Sequence, residues 1–180
     1  MKILLIDNGT TLLNKLRELI PGEEITHTFD NFDTDTTDFD LVILSGGSKY
    51  QLMGNEDKFQ KEIDFIKTTK IPIVGICFGY ELIAIAFGAT LKELSENKKG
   101  MYEVQVFDEV LGKGIVRVYE SHRWIVDTLP DIFEVLAVSN DGPEIIKHKE
   151  KIIYGLQFHP ENFVEETEGD EVFLKLLSQF

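Results

Sequence analysis

The stretch Ile71-Pro72-Ile73-Val74-Gly75-Ile76-Cys77-Phe78-Gly79-Tyr80-Glu81-Leu82-Ile83-Ala84-Ile85-Ala86-Phe87 decides the fold. Residues 71–76 form a short, continuous apolar run, the mark of a strand covered on both faces. Residues 80–87 are apolar on nearly every side, the mark of a buried helix. A strand that turns at once into a buried helix predicts one unit of an α/β domain with a parallel sheet.

The chain on either side agrees. Residues 2–6 are a second apolar run, stopped by Asp7-Asn8-Gly9. Thr10 or Thr11 is suited to cap a helix reaching Ile20, with Leu12, Leu16, Leu19 and Ile20 on one face and Pro21-Gly22 as its stop. Residues 25–29 alternate weakly as a strand. Residues 30–40 (DNFDTDTTDFD) read as a solvated acidic loop. They lack the Gly and terminal Glu of a calcium loop, so no metal is assigned to them. Residues 41–44 are a buried strand followed by Ser45-Gly46-Gly47-Ser48, and 56–67 carry Phe59, Ile63 and Ile66 at helical spacing. The second half changes character. Residues 102–107, 114–119, 133–138, 144–148 and 151–158 read as strands in close succession, with Lys149-Glu150 turning a hairpin between the last two. Phe173, Leu176, Leu177 and Phe180 outline a final packing helix. The expected fold is α/β: a central, mostly parallel sheet flanked by helices, with an antiparallel strand insertion in the second half. No linker or repeat divides it, so residues 1–180 are expected to form one domain.

Composition removes several functions. The 180 residues carry 18 Lys and Arg against 32 Asp and Glu, a formal net charge of −14. Such a balance disfavours nonspecific binding to nucleic acid or anionic membrane, which needs clustered cations. Cys77 is the only cysteine, so no intramolecular disulfide can form and no Cys cluster exists for zinc or iron–sulfur. The first apolar run is too short for a secretion signal, and nothing approaches the ~18 apolar residues of a membrane span. The cytoplasm, where a free thiol persists, is the expected location.

Three elements could carry chemistry. Gly75-Ile76-Cys77-Phe78-Gly79 sets a thiol at a strand-to-helix turn, exposed at the sheet's carboxyl end with a helix N-terminus behind it. Taken alone, it fits a buried core cysteine equally well. Phe158-His159-Pro160-Glu161 follows the last strand; His159 suits a base for a Cys nucleophile, and Glu161 could fix its tautomer. His122, in Glu120-Ser121-His122-Arg123-Trp124, is the rival base, with less beside it to orient it. His27 and His148 lack a comparable turn with a nearby carboxylate. Gly46-Gly47 could bring backbone N–H groups to a developing oxyanion, though a plain turn explains the pair as well.

In their order, glycine loop, cysteine elbow and His-Pro-Glu, these elements resemble the class I (triad-type) glutamine amidotransferases. The stretches LVILSGGS, IPIVGICFGYELIAIAFGA, ESHRW and IIYGLQFHPE carry the resemblance, which runs from Asn8 to the end. Within the family the chain looks most like the stand-alone glutaminase subunits of GMP synthetases, whereas anthranilate synthase subunits usually read PGP and HSL at the corresponding places. The resemblance implies that Cys77 attacks the side-chain amide of L-glutamine, that His159 moves the protons and that Glu161 orients His159. It implies an oxyanion hole from the N–H groups of Gly47 and Phe78, and substrate contacts from Gly46, Gly47, Glu81, Ser121 and His122. A cysteinyl thioester would form and be hydrolysed to glutamate. The ammonia would pass to a separate ATP-dependent synthetase, for GMP synthesis from XMP. No metal or cofactor is implied for the glutaminase half; ATP and Mg would belong to the partner.

Two positions depart from the family pattern. Glu81 stands where C-x-G-x-Q expects an amide, putting a carboxyl beside the thiol. SGGS replaces the more usual SGGP, losing a rigid φ that would hold the glycine loop still. Glu81 keeps open an alternative, a free-standing γ-glutamyl hydrolase or amidotransferase with another substrate. A non-catalytic regulatory module is the third reading, opposed by the intact Cys77, His159 and Glu161.

Overall fold

The computed structural model of the chain describes residues 1–162 and 166–180. In chain order the elements are β1 (Lys2–Asp7), α1 (Leu13–Leu19), β2 (Glu23–Thr28), β3 (Leu41–Leu44), a short 3-10 turn (Glu56–Phe59) running into α2 (Gln60–Thr68), β4 (Ile73–Ile76), α3 (Phe78–Ala86), β5 (Thr90–Val106), β6 (Gly114–Thr128), β7 (Phe133–Val138), β8 (Pro143–His148), β9 (Ile153–Leu156) and α4 (Gly169–Leu177). Among the described residues one sheet of nine strands forms, in the order β2-β1-β3-β4-β9-β8-β7-β5-β6. The first five in that order run parallel, and β8, β7, β5 and β6 pair antiparallel. The fold is α/β, as the strand–helix alternation predicts.

The apolar runs follow from burial on both faces. Ile3 and Leu5 of β1 join Leu16 of α1 and Phe173 and Leu176 of α4. Leu4 and Ile6 point the other way, toward Ile63 and Ile66 of α2 and Leu82 and Ile83 of α3. The central strands are therefore apolar through their buried positions, with no alternation.

Topology then builds the site. β9 returns to lie parallel beside β4, pairing Gly75 with Gly155 and Ile76 with Leu156. β3 flanks β4 on the other side. The turns after β3, β4 and β9 thus meet at one carboxyl edge, where α/β sheets bind their ligands. Helix α3 must pack very closely to start there. A Cβ on Gly75 would lie 2.5 Å from the Gly79 carbonyl, and one on Gly79 would strike the Leu44 backbone.

Several boundaries differ from the sequence expectation. β5 begins at Thr90 and β6 continues to Thr128, 17 and 15 residues long against the six-residue segments expected at 102–107 and 114–119. The added length is mostly polar, with Leu91, Ile125 and Val126 its few core contacts, so apolar periodicity did not mark it. Helix α1 starts at Leu13, not at a Thr cap. Asp7 instead accepts the N–H groups of Gly9 (2.8 Å) and Thr10 (3.2 Å), and Thr10 accepts that of Leu12 (3.1 Å). The acidic loop 30–40 is not wholly solvated: Phe32 is buried against Phe65, ring centroids 5.4 Å apart. No helix among the described residues is long and apolar enough to cross a membrane.

Candidate active site

Cys77 is, among the described residues, the one non-glycine with positive φ (φ 47°, ψ −98°). Its N–H closes the β4–β9 ladder on Leu156 O at 2.7 Å, and its carbonyl accepts the N–H of Glu81, which opens the helix. Such a conformation costs about 1–3 kcal/mol and persists where the surroundings over-determine it. Here the strand on one side and the close α3 contact on the other do so. The thiol lies 3.9 Å from the carbonyl of Ser121 on β6.

His159 reaches the same place from the end of β9. Its N–H is fastened to Tyr119 O of β6 at 2.8 Å. Its Nδ1 meets Oε1 of the fully buried Glu161 at 2.9 Å, leaving Nε2 as the nitrogen for Cys77. Burial pushes the Cys77 thiol up; the His159 charge and hydrogen bond pull against this, and Glu81 and Glu161 add to it. The imidazole is held well above its ordinary value: burial opposes its charge, but Cys77 and Glu161 outweigh burial. The arrangement favours moving a proton from thiol to imidazole and keeping the resulting ion pair together.

The glycine loop fills the third side. A Cβ on Gly46 would come to 3.0 Å from His159 Cε1, and one on Gly47 to 2.9 Å from Cγ of Phe78 and 3.0 Å from Asn8 O. Phe78 opens α3, so its N–H has no partner within the helix. The loop is fastened without a proline: Ser48 gives Gly9 O two hydrogen bonds, from N–H at 3.2 Å and from its hydroxyl at 2.8 Å.

A pocket of about 340 Å³ opens over the thiol, lined by Gly47, Phe78, Glu81, Ser121, His122 and Trp124 among others. A smaller polar pocket of about 180 Å³ adjoins it past His159 and Ser121. The sequence-derived site residues are therefore brought together: Cys77, His159 and Glu161 as a chain of contacts, the others around the cavity.

The other histidines are occupied elsewhere. His122 lines the pocket, but Nδ1 meets Trp124 O at 3.1 Å and Nε2 meets Glu120 Oε2 at 2.6 Å, so neither nitrogen is free to act as a base. His148 packs edge-on against Phe87 and Phe133 and accepts the N–H groups of Glu150 and Lys151. His27 sits on the edge strand β2 against Asn31 O.

The chain matches the family model for glutamine amidotransferase class-I over residues 4–178. It belongs to the class I glutamine amidotransferases. Among its relatives, the glutamine-hydrolysing GMP synthase subunit of Pyrococcus abyssi is 34% identical, with 96% of this chain and 95% of that protein covered. The subunit of the same name from Methanobrevibacter smithii is 34% identical over 89% of this chain and 87% of the relative. The crystal structure of a Thermoplasma acidophilum protein assigned as a GMP synthase subunit superposes with a TM-score of 0.84 at 30% identity, covering 99% of this chain and 92% of that one.

Two features of this amidotransferase site escape sequence reading. On the hairpin, Glu120 is fully buried and takes both His122 and Lys98, the latter at 2.7 Å; Lys98 also takes Asp141 at 2.7 Å. Lys98, Glu120 and Asp141 lie far apart in sequence and meet through the β5–β6 register and the β7–β8 turn. Beneath the glycine loop, Asn8 binds the loop's first residue twice. Its N–H donates to Ser45 Oγ at 2.9 Å and its amide to Ser45 O at 3.2 Å, while the same amide donates to buried Glu62 at 3.2 Å. Burial raises the Glu62 carboxyl to about 8 against the pull of Asn8. The one available signal was a Glu at a helix position that packs inward beside Ile63 and Ile66.

Proposed function

We propose that this chain is the glutamine-hydrolysing subunit of a two-subunit GMP synthase, releasing ammonia for a separate synthetase. The carrying observation is Cys77 in its strained turn with His159 and Glu161 aligned behind it. The thiolate of Cys77 attacks the side-chain amide carbon of L-glutamine, and His159 takes the thiol proton. The tetrahedral oxyanion is held by the N–H groups of Gly47 and Phe78. On its collapse the C–N bond breaks, His159 gives the proton to the leaving ammonia, and a γ-glutamyl thioester remains. Water then attacks the thioester with His159 as base, giving glutamate and free Cys77. Glu161 keeps Nδ1 protonated, so Nε2 is the working nitrogen. Gly46, Ser121, His122 and Glu81 hold the amino-acid portion. ATP, Mg and XMP would be handled by the partner.

The names and near-complete coverage of the GMP synthase relatives support the pathway. The alternative of a free-standing γ-glutamyl hydrolase rests on Glu81. Glutamate formation from glutamine, with and without an added GMP-forming synthetase, XMP and Mg-ATP, tests both. Cys77-dependent glutamate that rises on adding the partner is expected. Replacing Cys77 with Ala should lower the rate at least about a thousandfold, with the thermal midpoint kept within a few degrees. An undiminished rate in that variant would overturn the mechanism, and partner-independent turnover would favour the hydrolase.

A further inference from the structure

Five glutamates are buried in the described residues: Glu62, Glu81, Glu120, Glu144 and Glu161. Four have partners inside the chain. Glu62 takes Asn8, Glu120 takes Lys98 and His122, Glu144 takes Ser139, and Glu161 takes His159. The carboxyl of Glu81, in a residue only 5% exposed, has no hydrogen bond or salt bridge to a described residue, and it lines the pocket above Cys77. Its backbone is fixed one turn beyond the nucleophile, with the N–H on Cys77 O at 2.9 Å. A buried polar group requires a partner, and the pocket is the one direction left for it.

Chemistry limits the form in which Glu81 can serve. The Glu81 oxygens open only onto the pocket, and a carboxylate shielded from bulk water without a counter-ion is disfavoured, which favours the protonated form. The neutral acid offers one O–H donor and one C=O acceptor, the same pair of functions a carboxamide presents. We propose that Glu81 works as a neutral carboxylic acid that donates its O–H to an oxygen of bound glutamine, so that glutamine affinity falls away when Glu81 ionises. The proposal rests on the glutaminase reading above and adds the protonation state on which binding depends. Burial raises this carboxyl to about 8, opposed by the His159 charge. An ionised Glu81 would lose its donor and repel the substrate's α-carboxylate.

Other titratable groups surround Glu81: Cys77 at the elbow, Tyr80 on α3, His159 and Glu161 after β9, His122 and Arg123 on β6, and Tyr50 after β3. All are retained in Glu81→Gln, so the difference between the two proteins isolates Glu81. The experiment is steady-state glutamine hydrolysis by the wild type and Glu81→Gln between pH 6 and 9.5, with the synthetase present, and Cys77→Ala as blank. The wild-type KM for glutamine should rise about tenfold between pH 7 and 9, as one ionisation near 8 requires, while the KM of Glu81→Gln stays flat. A flat wild-type KM, or the same rise in both proteins, would overturn the proposal. A wild-type KM that falls with pH would also overturn it, since an ionised Glu81 would then be pairing with the α-ammonium group. Absence of Cys77-dependent glutamate at pH 7 would instead sink the glutaminase reading, and this proposal with it.

Discussion

The five parallel strands and the β5–β6 hairpin build the same pocket from different materials. Apart from the polar edge strand β2, the parallel strands are apolar through their buried positions, and this half holds the candidate reactive groups on turns whose backbones are locked by packing: Cys77 between β4 and α3, His159 after β9, Gly46 and Gly47 after β3. The hairpin carries its polar residues out past the core and holds the pocket wall with charge. Lys98, Glu120 and His122 form a buried ladder behind Ser121. Glu62 shows the contrast most directly. It is a buried carboxyl in the parallel half with only a neutral amide for company, whereas Glu120 on the hairpin has two cation-forming partners. Buried charge is tolerated where it is paired and suppressed where it is not.

Breaking the hairpin's pairing should have the largest effect on stability. Lys98→Met leaves Glu120 and Asp141 without their shared cation, and removing one member of a buried pair costs about 3–5 kcal/mol. Urea unfolding reads the loss directly. Kinetics should divide it from a loss confined to folding: Ser121 and His122 lean on this ladder, so the KM for glutamine should rise more than kcat falls. A loss under about 1 kcal/mol would mean that the ladder is a solvent-screened surface network.

Glu62 should behave in the opposite sense. Its carboxyl is raised from the ordinary 4.5 to about 8 in the folded chain. A folded value above the unfolded one contributes stability that is complete below pH 4.5 and lost as pH rises through 8, because the unfolded chain ionises first. Glu62→Gln removes that dependence and keeps the acceptor for Asn8. The variant should match the wild type near pH 4.5 and exceed it by roughly 4 kcal/mol at pH 8. Urea midpoints at the two pH values measure this, and a difference that does not grow with pH would mean that Glu62 is ionised and stabilised in place.

The same contrast explains what could be read without a structure. Residues 41–44 and 133–138 are strands with the bounds their apolar pattern gives: every position of the first is buried, and Phe133, Leu136 and Ala137 anchor the second. The convergence of the three candidate-site motifs was legible because each follows a buried strand, and the carboxyl ends of those strands share one edge of the sheet. The far halves of β5 and β6 were not legible: Glu93, Glu96, Lys99 and Arg123 are exposed, and nothing in their pattern distinguishes a solvated hairpin from a loop. Phe32 was hidden within an acidic run for the converse reason, since it and Phe39 are the two core-packing aromatics in a loop otherwise made largely of carboxylates and threonines. The ladder Lys98–Glu120–Asp141 depends on strand register and a turn, neither of which a linear spacing reveals.

The smallest effect is expected at Ser48, where the parallel half borrows the hairpin's strategy and fastens a loop with polar contacts. Proline at this position would fix φ but remove the N–H that meets Gly9 O at 3.2 Å, and its ring could not replace the hydroxyl contact at 2.8 Å. Serine therefore substitutes two hydrogen bonds to one carbonyl for a stiff backbone. Ser48→Ala removes only the hydroxyl bond, which is exposed to solvent, and should destabilise by about 0.5–1 kcal/mol. With Gly47 in its proposed oxyanion role on the same loop, the looser tether should lower kcat two- to threefold and leave KM nearly unchanged, the expected division when the affected group binds the transition state more than the substrate. Ser48→Pro should lose more than Ser48→Ala if the N–H contact matters, and should recover kcat if stiffness alone is what the loop requires. Measuring both variants side by side separates fastening by hydrogen bonds from fastening by restricted φ.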